Sequence, residues 1–372
     1  MLTEEERERY GRQMLLPEFG EEGQLKLRSS RVLVIGAGGL GSPILLYLAA
    51  AGIGTIGVVE FDRLDRSNLH RQILYNDSES GLLKGELAVE KIKNLNPQVD
   101  VSLHQHYLSK HNALEIISQY DIIVDGSDNL PTRYLVNDAC VLLSKPFVYG
   151  AVYRYEGQVA VFNGLMQDGK RSATYRDIYP SPPEPEMVPA CNTGGVLGTL
   201  VGVIGSAMGG EAVKIAAGIG TPLYNRIWLF DALDFSSRFI NIEPNKNQFI
   251  PGELINYESF CDHRETPSDI NDITPGETQM LLKKNSAILI DVREPEEFNR
   301  ASIGGINIPV GSVIEQAFRI PRRATVILLC KSGGRSAQAV KKLQDVGFTN
   351  LVSMRGGLNR WRAEIDPNLP AC

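Results

Sequence analysis

A glycine-rich turn between a strand and a helix constrains the fold of this chain more than any other feature. Arg31–Ile35 (RVLVI) is predicted as a buried strand, and Leu40–Ala51 as an apolar helix. The turn between them, GAGGLG, contributes Gly36, Gly38, Gly39 and Gly41. Glycines here let the backbone approach a phosphate, whose charge meets the N-terminus of the following helix. The segment therefore predicts a nucleotide-binding α/β domain.

Apolar strands and helices continue to alternate after this turn. Such a pattern predicts a Rossmann-like, doubly wound α/β fold, in which helices cover both faces of a parallel sheet. Near Pro146 it changes to two strands joined at Glu156-Gly157, which predicts a hairpin and so a mixed sheet. The other predicted strands are Thr55–Glu60, Val99–His104, Asp121–Asp125, Ile227–Asp231 and Phe239–Glu243, and the helices are Glu86–Asn94, Asn112–Gln119 and Gly194–Ala217.

The length of 372 residues favours two or three domains. We expect a first domain at 1–243, a linker rich in polar residues at 244–272, and a small α/β domain at 273–372. In the last of these a new alternation begins, with strands Ala287–Asp291, Thr325–Cys330 and Leu351–Ser353 and helix Ser336–Val346.

Composition and charge exclude several classes of partner. A net charge of −6 argues against broad attraction to nucleic acid or to anionic membranes. We expect no apolar run near the roughly 18 residues that a membrane span needs. The charged N-terminus lacks the apolar core of a signal peptide, so we expect a cytoplasmic protein. The five cysteines are odd in number and irregularly spaced, which does not fit a disulfide framework.

Charged residues after the second and fourth predicted strands indicate which kind of nucleotide the domain binds. Glu60 ends the second strand, where a carboxylate can hold ribose hydroxyls. Arg71 and Lys84 would place two cations beside a polyphosphate, and Asp128 could hold Mg²⁺ at the carboxyl end of a strand. Cations and metal around phosphates stabilise the charge that develops in phosphoryl or adenylyl transfer. A dinucleotide dehydrogenase does not need cations and a metal arranged in this way. The alternative is that Arg71 and Lys84 are surface charges and that Asp128 caps the next helix.

These motifs, taken in order, resemble the ubiquitin-activating superfamily, specifically the molybdopterin-synthase and thiamine-biosynthesis adenylyltransferases. The resemblance covers about residues 1–243, from Arg9–Gln13 (RYGRQ) through GAGGLG, SNLHRQ and SDN. It implies ATP as substrate, Mg²⁺ at Asp128, and a homodimer in which Arg12 reaches the phosphates across the interface. The family more often has Asp where Glu60 stands. The residues that it assigns to the nucleotide are Gly36, Gly38, Gly39, Gly41, Glu60, Asp62, Ser67, Asn68, Arg71, Lys84, Asp128 and Asn129.

A polar, proline-rich stretch, Asn163–Thr193, predicts a long mobile loop that ends at Cys191. Because Cys191 directly precedes a predicted helix, the helix N-terminus favours its thiolate. A small buried residue in a helix cap is the alternative. By the resemblance, this cysteine corresponds to the loop cysteine that forms a covalent acyl intermediate.

The family usually carries a structural zinc held by two CxxC pairs, and this chain lacks both. Thr174–Asp177 (TYRD) stands where CYRC is expected, and Cys261 with His263 is too weak a ligand pattern. We therefore predict no structural zinc, with packing alone holding the strands that the metal would tie.

The loop Cys330–Ser336 (CKSGGRS) lies between a predicted buried strand and a helix. Its backbone N–H groups can form an anion nest for a thiolate or persulfide, and Arg335 adds a positive charge. With Leu289–Phe298, Asn307–Pro309 and Met354–Trp361, the segment 273–370 resembles a rhodanese. Four residues separate Cys330 from Arg335, the spacing of sulfur transfer, whereas phosphatase relatives have five. A catalytically inactive docking rhodanese is the alternative.

Together the two resemblances imply an enzyme that adenylates the C-terminal glycine of a small ubiquitin-like sulfur-carrier protein ending in Gly-Gly. A persulfide on Cys330, loaded from a persulfide or thiosulfate donor, would then convert the carboxylate to a thiocarboxylate. Two other functions stay open at this point. The enzyme could activate a ubiquitin-like modifier for conjugation to proteins. Alternatively, a non-adenylating docking domain could be fused to a thiosulfate sulfurtransferase.

Overall fold

The computed structural model describes residues 1–182, 195–245, 251–257, 260, 272–367 and 369–370. The chain divides into two compact units, Met1–His263 and Arg264–Cys372. Cys191, and with it the end of the predicted loop, lies outside the described residues, as do Cys261, His263 and Cys372. Most of the predicted linker 244–272 lies outside them as well.

The first unit is an eight-stranded mixed sheet with helices on its faces. The strand order is β3-β2-β1-β4-β5-β6-β7-β8, in which β1 to β5 are parallel and β6, β7 and β8 are antiparallel to their neighbours. The strands are β1 Arg31–Ile35, β2 Thr55–Val59, β3 Asp100–His104, β4 Ile122–Asp125, β5 Phe147–Tyr153, β6 Glu156–Phe162, β7 Arg226–Asp231 and β8 Ser237–Asn241. The helices are α1 Glu4–Met14, α2 Gly20–Ser29, α3 Gly41–Ala51, α4 Lys84–Leu95, α5 Ala113–Ser118, α6 Leu130–Leu142 and α7 Gly198–Ala217.

Alternation along each strand divides the core of this unit between the two faces of the sheet. Val32 and Val34 of β1 pack into one apolar cluster, while Leu33 and Ile35 pack into the other. All four are buried, as expected for a central parallel strand. The predicted doubly wound fold with a mixed sheet is thereby confirmed.

Helix α7 corrects one expectation from composition. An 18-residue window of this 20-residue helix has a mean hydropathy of 1.4, so by length and composition it could cross a membrane, and the expectation that no apolar run approaches 18 residues is wrong. Half of that window is buried inside the protein. Its residues Leu200, Ile204 and Met208 belong to the core cluster beneath the sheet, which accounts for their apolar character.

The second unit is a five-stranded parallel sheet, as its shorter alternation predicted. The order is β11-β10-β12-β13-β9, so β12 lies at the centre. The strands are β9 Asp272–Ile273, β10 Ala287–Asp291, β11 Ile306–Asn307, β12 Thr325–Leu329 and β13 Leu351–Met354. The helices are α8 Pro275–Lys283, α9 Pro295–Arg300, α10 Gly334–Asp345 and α11 Gly357–Glu364.

Part of the predicted loop 163–193 is packed into the core, although residues 167–170 are exposed. Residues 172–176 are buried, and Tyr175–Asp177 forms a 3-10 turn with a capping box from Thr174. Tyr175 contacts the rings of Tyr134, Tyr149 and Phe162. The polar side chains that suggested a mobile loop make buried hydrogen bonds instead.

Candidate active sites

The glycine-rich turn follows β1 and leads into α3, as predicted. Gly36 has a φ of +86°, which favours glycine. A Cβ on Gly41 would lie 2.0 Å from the carbonyl oxygen of Gly36, so the turn is too tight for any side chain there. A Cβ on Gly39 would lie 2.8 Å from Cγ1 of Val201 on α7. The turn is therefore held in one compact shape, with the N-terminus of α3 beside it.

This turn lies at the point where the strand order reverses. From β1 the chain proceeds outward through β2 and β3, and then returns to place β4 on the other side of β1. The loop after β4 adjoins the turn, since a Cβ on Gly126 would lie 3.2 Å from the Gly41 nitrogen. Ligands of open α/β sheets bind in the crevice at this switch point. The structure thus brings the GAGGLG turn and the 125–129 segment together.

Glu60 ties the end of β2 to the turn. Its side chain is 6% exposed and accepts hydrogen bonds from the backbone N–H groups of Ala37, Phe61 and Asp62, each at 2.9 Å. Burial raises the pKa of Glu60, and nearby Lys84 only partly opposes this. A carboxylate has about four acceptor positions, so one stays available for a ribose hydroxyl.

Two cationic side chains lie near the glycine-rich turn. Lys84 begins α4, is 6% exposed, and its Nζ is 3.7 Å from Oδ2 of Asp62. Arg71 is partly buried, and a Cβ on Gly39 would lie 3.4 Å from its Cγ. A buried ammonium group needs charge of opposite sign, and Asp62 supplies one such charge to Lys84.

The segment after β4 combines a buried carboxylate with an exposed one. Asp125 is fully buried and accepts a hydrogen bond from the Ser127 N–H at 2.9 Å, and burial raises the pKa of Asp125. Asp128 is exposed at the mouth of the crevice. The helix cap of α6 is Asn129, which accepts from the Thr132 N–H at 2.9 Å. Capping therefore does not explain Asp128, while it does occupy the side chain of Asn129.

Two other predicted nucleotide residues support the loop after β2 through their own side chains or backbone. The Asn68 side chain accepts from the Asp65 N–H at 3.2 Å and closes a capping box. The Ser67 carbonyl accepts from Arg71 at 3.3 Å, which holds the guanidinium against the loop.

Arg12 is not brought to this crevice within one chain. It is exposed on α1, and the neighbouring Gln13 donates to the Ala51 carbonyl at 2.9 Å, at the C-terminal end of α3. The glycine-rich turn lies at the other end of that helix, about 16 Å away for 11 residues. Arg12 thus lies near the end of α3 that is farther from the glycine-rich turn.

Two polar residues of this crevice were not assigned from the sequence. Oδ2 of Asp125 and Oε1 of Gln72 are buried, and neither has a hydrogen-bond partner in the described part of the chain. Gln72 also lies beside Gly38, where a Cβ would be 3.6 Å from its Nε2. The sequence did not single out these two side chains, because the burial of a polar atom without a hydrogen-bond partner is visible only in the folded structure.

Where the family would bind zinc, the described residues form a buried polar network instead. Arg176 makes two hydrogen bonds to Asp138, at 2.7 and 2.8 Å, and the Tyr257 hydroxyl donates to the same carboxylate at 2.7 Å. Asp177 accepts from the Asn245 N–H at 3.1 Å. The expectation of packing alone is therefore wrong, because ionic and hydrogen bonds also join these segments. Among the described residues, no group of three or more His, Cys, Asp and Glu side chains could hold a metal.

In the second unit, Cys330 stands at the carboxyl end of the central strand β12. It is 1% exposed, and its Sγ accepts a hydrogen bond from the Gly333 N–H at 3.1 Å. The Ser336 hydroxyl lies 3.7 Å from the same sulfur. From the other side, the N–H of Leu358 donates to the Cys330 carbonyl at 2.9 Å. One backbone donor, the Gly333 N–H, thus contacts the sulfur, while the first turn of α11 contacts the carbonyl oxygen of Cys330.

The sequence predicted that Arg335 lies in the loop and adds a positive charge there, and the structure differs from this prediction. Helix α10 begins at Gly334, so Arg335 lies in its first turn. It forms two hydrogen bonds to Glu297 of α9, at 2.6 and 2.8 Å. The hydrogen bonds from Arg335 lower the pKa of Glu297, and the pKa of Arg335 is raised in return. Glu297 was not identified from the sequence.

A crevice at the switch point of a doubly wound sheet, together with a cysteine loop on a small parallel sheet, defines a two-domain enzyme of the adenylyltransferase and sulfurtransferase class. Comparison with known proteins leads to the same class. Residues 10–251 match the ThiF family, and residues 274–364 match the rhodanese-like domain. The chain belongs to the ThiF family and carries a rhodanese-like domain.

Curated relatives match along nearly the whole chain. One is the probable adenylyltransferase/sulfurtransferase MoeZ of Mycobacterium tuberculosis, 43% identical over 99% of this chain and 96% of that protein. The sulfur carrier protein adenylyltransferase of Thermus thermophilus is 49% identical over 70% of this chain and 98% of its own length. Among solved structures, Escherichia coli MccB with succinimide matches with a TM-score of 0.55 and 20% identity, covering 65% of this chain and 73% of that one. The last match supports the fold alone.

Proposed function

We propose that this protein adenylates the C-terminal glycine of a ubiquitin-like sulfur carrier and then sulfurates it from Cys330. The observation that carries the proposal is the joining of two built anion sites in one chain. One is the crevice of the GAGGLG turn with its buried Lys84, and the other is the loop that holds the Cys330 sulfur. The name of the Thermus thermophilus relative supports a sulfur carrier as partner.

In the first step, ATP would bind with its phosphates at the turn and its ribose at Glu60. The carrier carboxylate attacks the α-phosphorus, the bond to the β-phosphate oxygen breaks, and pyrophosphate leaves. Lys84 and Arg71 offset the negative charge that develops on the phosphates, which is the usual way in which proteins accelerate such transfers.

Asp128 fits a magnesium ion bound together with ATP. It is an exposed carboxylate at the carboxyl end of β4, and Mg²⁺ in such sites takes one or two carboxylates, with waters and substrate phosphates as its other ligands. When bound, the ion would neutralise charge on the phosphates. Gly36, Gly38, Gly39 and Gly41 leave room for the phosphates, and Asn68 and Asn129 support the surrounding loops.

Arg12 would complete the site of a second subunit, so the functional unit we propose is a homodimer. The position of Arg12 beside the far end of α3 supports this, because its own crevice is beyond the reach of one side chain.

In the second step, a persulfide on Cys330 would attack the acyl carbon of the adenylate and expel AMP. This forms an acyl disulfide between the carrier and Cys330. A second thiolate then attacks the Cys330 sulfur, the bond between the two sulfurs breaks, and the thiocarboxylate leaves with the electron pair. We assign that second thiolate to Cys191, on the basis of the resemblance. The disulfide that remains on the enzyme is reduced by an external thiol before the next turnover. A covalent relay divides one difficult step into easier ones. The Gly333 N–H and the Ser336 hydroxyl would stabilise the negative sulfur.

Mass spectrometry of Gly-Gly-ending carriers from the same organism tests the whole sequence. The carriers are incubated with the protein, ATP, Mg²⁺ and a sulfur donor. Replacement of oxygen by sulfur raises the carrier mass by about 16 Da, and pyrophosphate release reports the first step separately. Carriers that gain no sulfur and release no pyrophosphate would contradict the proposal.

A further inference from the structure

The positive charge around the Cys330 loop is largely neutralised by carboxylates. Arg335 makes a two-bond ion pair with Glu297, and both side chains are about one-third exposed. The turn that packs on the loop carries a second arginine, Arg355, and helix α11 after it carries a third, Arg360. Their closest carboxylates are Asp272 at 3.8 Å and Glu364 at 2.6 Å.

These pairs leave Lys331 as the one cation at this loop without a carboxylate partner among the described residues. Of the three arginine pairs, Arg335–Glu297 has the strongest geometry, with two short parallel bonds and partial burial. The other two are more exposed, and exposed pairs contribute little. Glu297 therefore neutralises Arg335, five positions after Cys330, more firmly than Asp272 or Glu364 neutralises its own arginine.

Sulfur donors differ in the charge that they bring to this loop. Thiosulfate is a dianion, whereas the reacting end of a persulfide carries at most one negative charge. A dianion gains about twice the Coulomb energy from each nearby cation, and it loses twice as much to each nearby carboxylate. A loop built for thiosulfate would keep Arg335 free of a carboxylate.

We propose that Glu297 is a specificity-determining residue, which makes the loop select singly charged sulfur donors of the persulfide class over thiosulfate. This inference rests on the proposed function and names the donor of its second step. The Cys330 thiolate attacks the terminal sulfur of R–S–SH, and a new sulfur–sulfur bond forms on Cys330. The R–S bond to that sulfur breaks, the electron pair leaves with R–S⁻, and no external oxidant or reductant is needed.

The test compares two donors of the same chemistry and different charge, thiosulfate and methanethiosulfonate. Both deliver a sulfane sulfur bonded to a sulfonyl group, but the second carries a single negative charge. The kcat/KM of each donor is measured by thiocyanate formation with cyanide as acceptor, because in a ping-pong reaction kcat/KM for the donor does not depend on the acceptor.

Replacing Glu297 by Gln removes the charge and keeps the shape. We expect the ratio of kcat/KM for thiosulfate to that for methanethiosulfonate to rise about 10-fold, as the loss of one charge near a part-exposed site predicts. Glu296→Gln is the matched control, since Glu296 is exposed on the same helix, and it should leave the ratio unchanged. Glu297→Asp keeps the charge, so it should retain the wild-type ratio even if its contact with Arg335 is longer.

The outcomes separate this inference from the proposed function. If both donors are used and Glu297→Gln leaves their ratio unchanged in a protein of wild-type thermal stability, Glu297 only positions Arg335 and the inference is wrong. If the wild-type protein activates its carrier yet takes sulfur from neither donor, the inference falls together with the sulfur step of the proposed function.

Discussion

The two units of this protein contain the same local arrangement and use it differently. In both, a buried parallel strand leads through a glycine-rich loop into a helix: β1 into α3, and β12 into α10. In the first unit the turn lies beside an open crevice with cationic side chains around it. In the second unit the loop closes on Cys330, whose sulfur is already hydrogen-bonded and 1% exposed.

This difference shows how one backbone arrangement, a strand followed by a glycine-rich loop and a helix, supports two kinds of anion chemistry. Backbone N–H groups at a helix N-terminus stabilise negative charge whether the charge arrives with a ligand or belongs to the protein. In the function that we propose, the first loop accepts a large polyanion, and the carboxylate beside its buried Lys84 is the more distant one of Asp62, at 3.7 Å. The second has to stabilise one sulfur, and its nearby Arg335 is paired with Glu297.

Removing the Cys330 sulfur should have the largest effect, because it removes sulfur transfer and leaves adenylation intact. We expect Cys330→Ala to abolish thiocarboxylate formation, because no other atom can replace the transferred persulfide, while pyrophosphate exchange stays within twofold of wild type. Carrier mass and exchange rate are measured on the same samples. Survival of both activities in this variant would remove Cys330 from the reaction.

Arg12→Ala should act on the first unit alone and lower pyrophosphate exchange by roughly 10²–10³-fold, the scale of losing one charge-stabilising group. Arg7→Ala is the control, since Arg7 lies on α1 with Arg12 and its side chain makes an exposed ion pair with Glu21 of α2. Mixing Arg12→Ala with Lys84→Ala chains should restore about a quarter of the activity, because half of the dimers are hybrids with one intact site. Exchange at the wild-type rate in Arg12→Ala would exclude it from the site.

One glycine at each site allows a direct comparison, since Gly41 ends the GAGGLG turn and Gly357 begins α11 against the Cys330 loop. Gly41→Ala would place a Cβ 2.0 Å from the Gly36 oxygen, and Gly357→Ala would place one 2.3 Å from the Cys330 oxygen. We expect each to slow its own step by about 10²-fold, as small displacements of reacting groups do, and to spare the other step.

The control variants for this pair are Gly210→Ala and Gly276→Ala, where a new Cβ meets nothing within 4 Å. Thermal unfolding of all four variants checks that the fold persists. Equal losses of both steps in either loop variant would show that the two units do not act as separate sites.

The smallest expected effect concerns protonation at the ribose position. The pKa of Glu60 is raised above its ordinary value of 4.5, chiefly by burial. Since the ionised form accepts the ribose hydroxyls, ATP affinity should be full above this raised pKa and should fall as the pH drops through it. Glu60→Gln should weaken ATP binding by about 10-fold at neutral pH and remove this pH dependence. Calorimetric titration from pH 5 to 8 measures both, and an unchanged pH profile in the variant would rule Glu60 out.

The local pattern of the sequence predicted the elements that need no distant partner. The strand Arg31–Ile35, the turn after it and the loop from Cys330 were all predicted within a residue or two, because backbone conformation there follows from nearby glycines and apolar residues. Helix α6, Leu130–Leu142, was missed. Its buried Asn137 and Asp138 interrupt the apolar period, and their partners Tyr175 and Arg176 lie far along the chain.

By itself, then, the sequence determined the class of fold, the two loops and the charged residues that belong to each. The tertiary structure decided which of those charges are available and which are paired. Glu297 reaches Arg335 across 38 positions, Tyr257 reaches Asp138 across 119, and Gln13, the neighbour of Arg12, reaches the C-terminal end of α3. Such contacts depend on strand order and helix packing, which a local pattern of apolar residues does not specify.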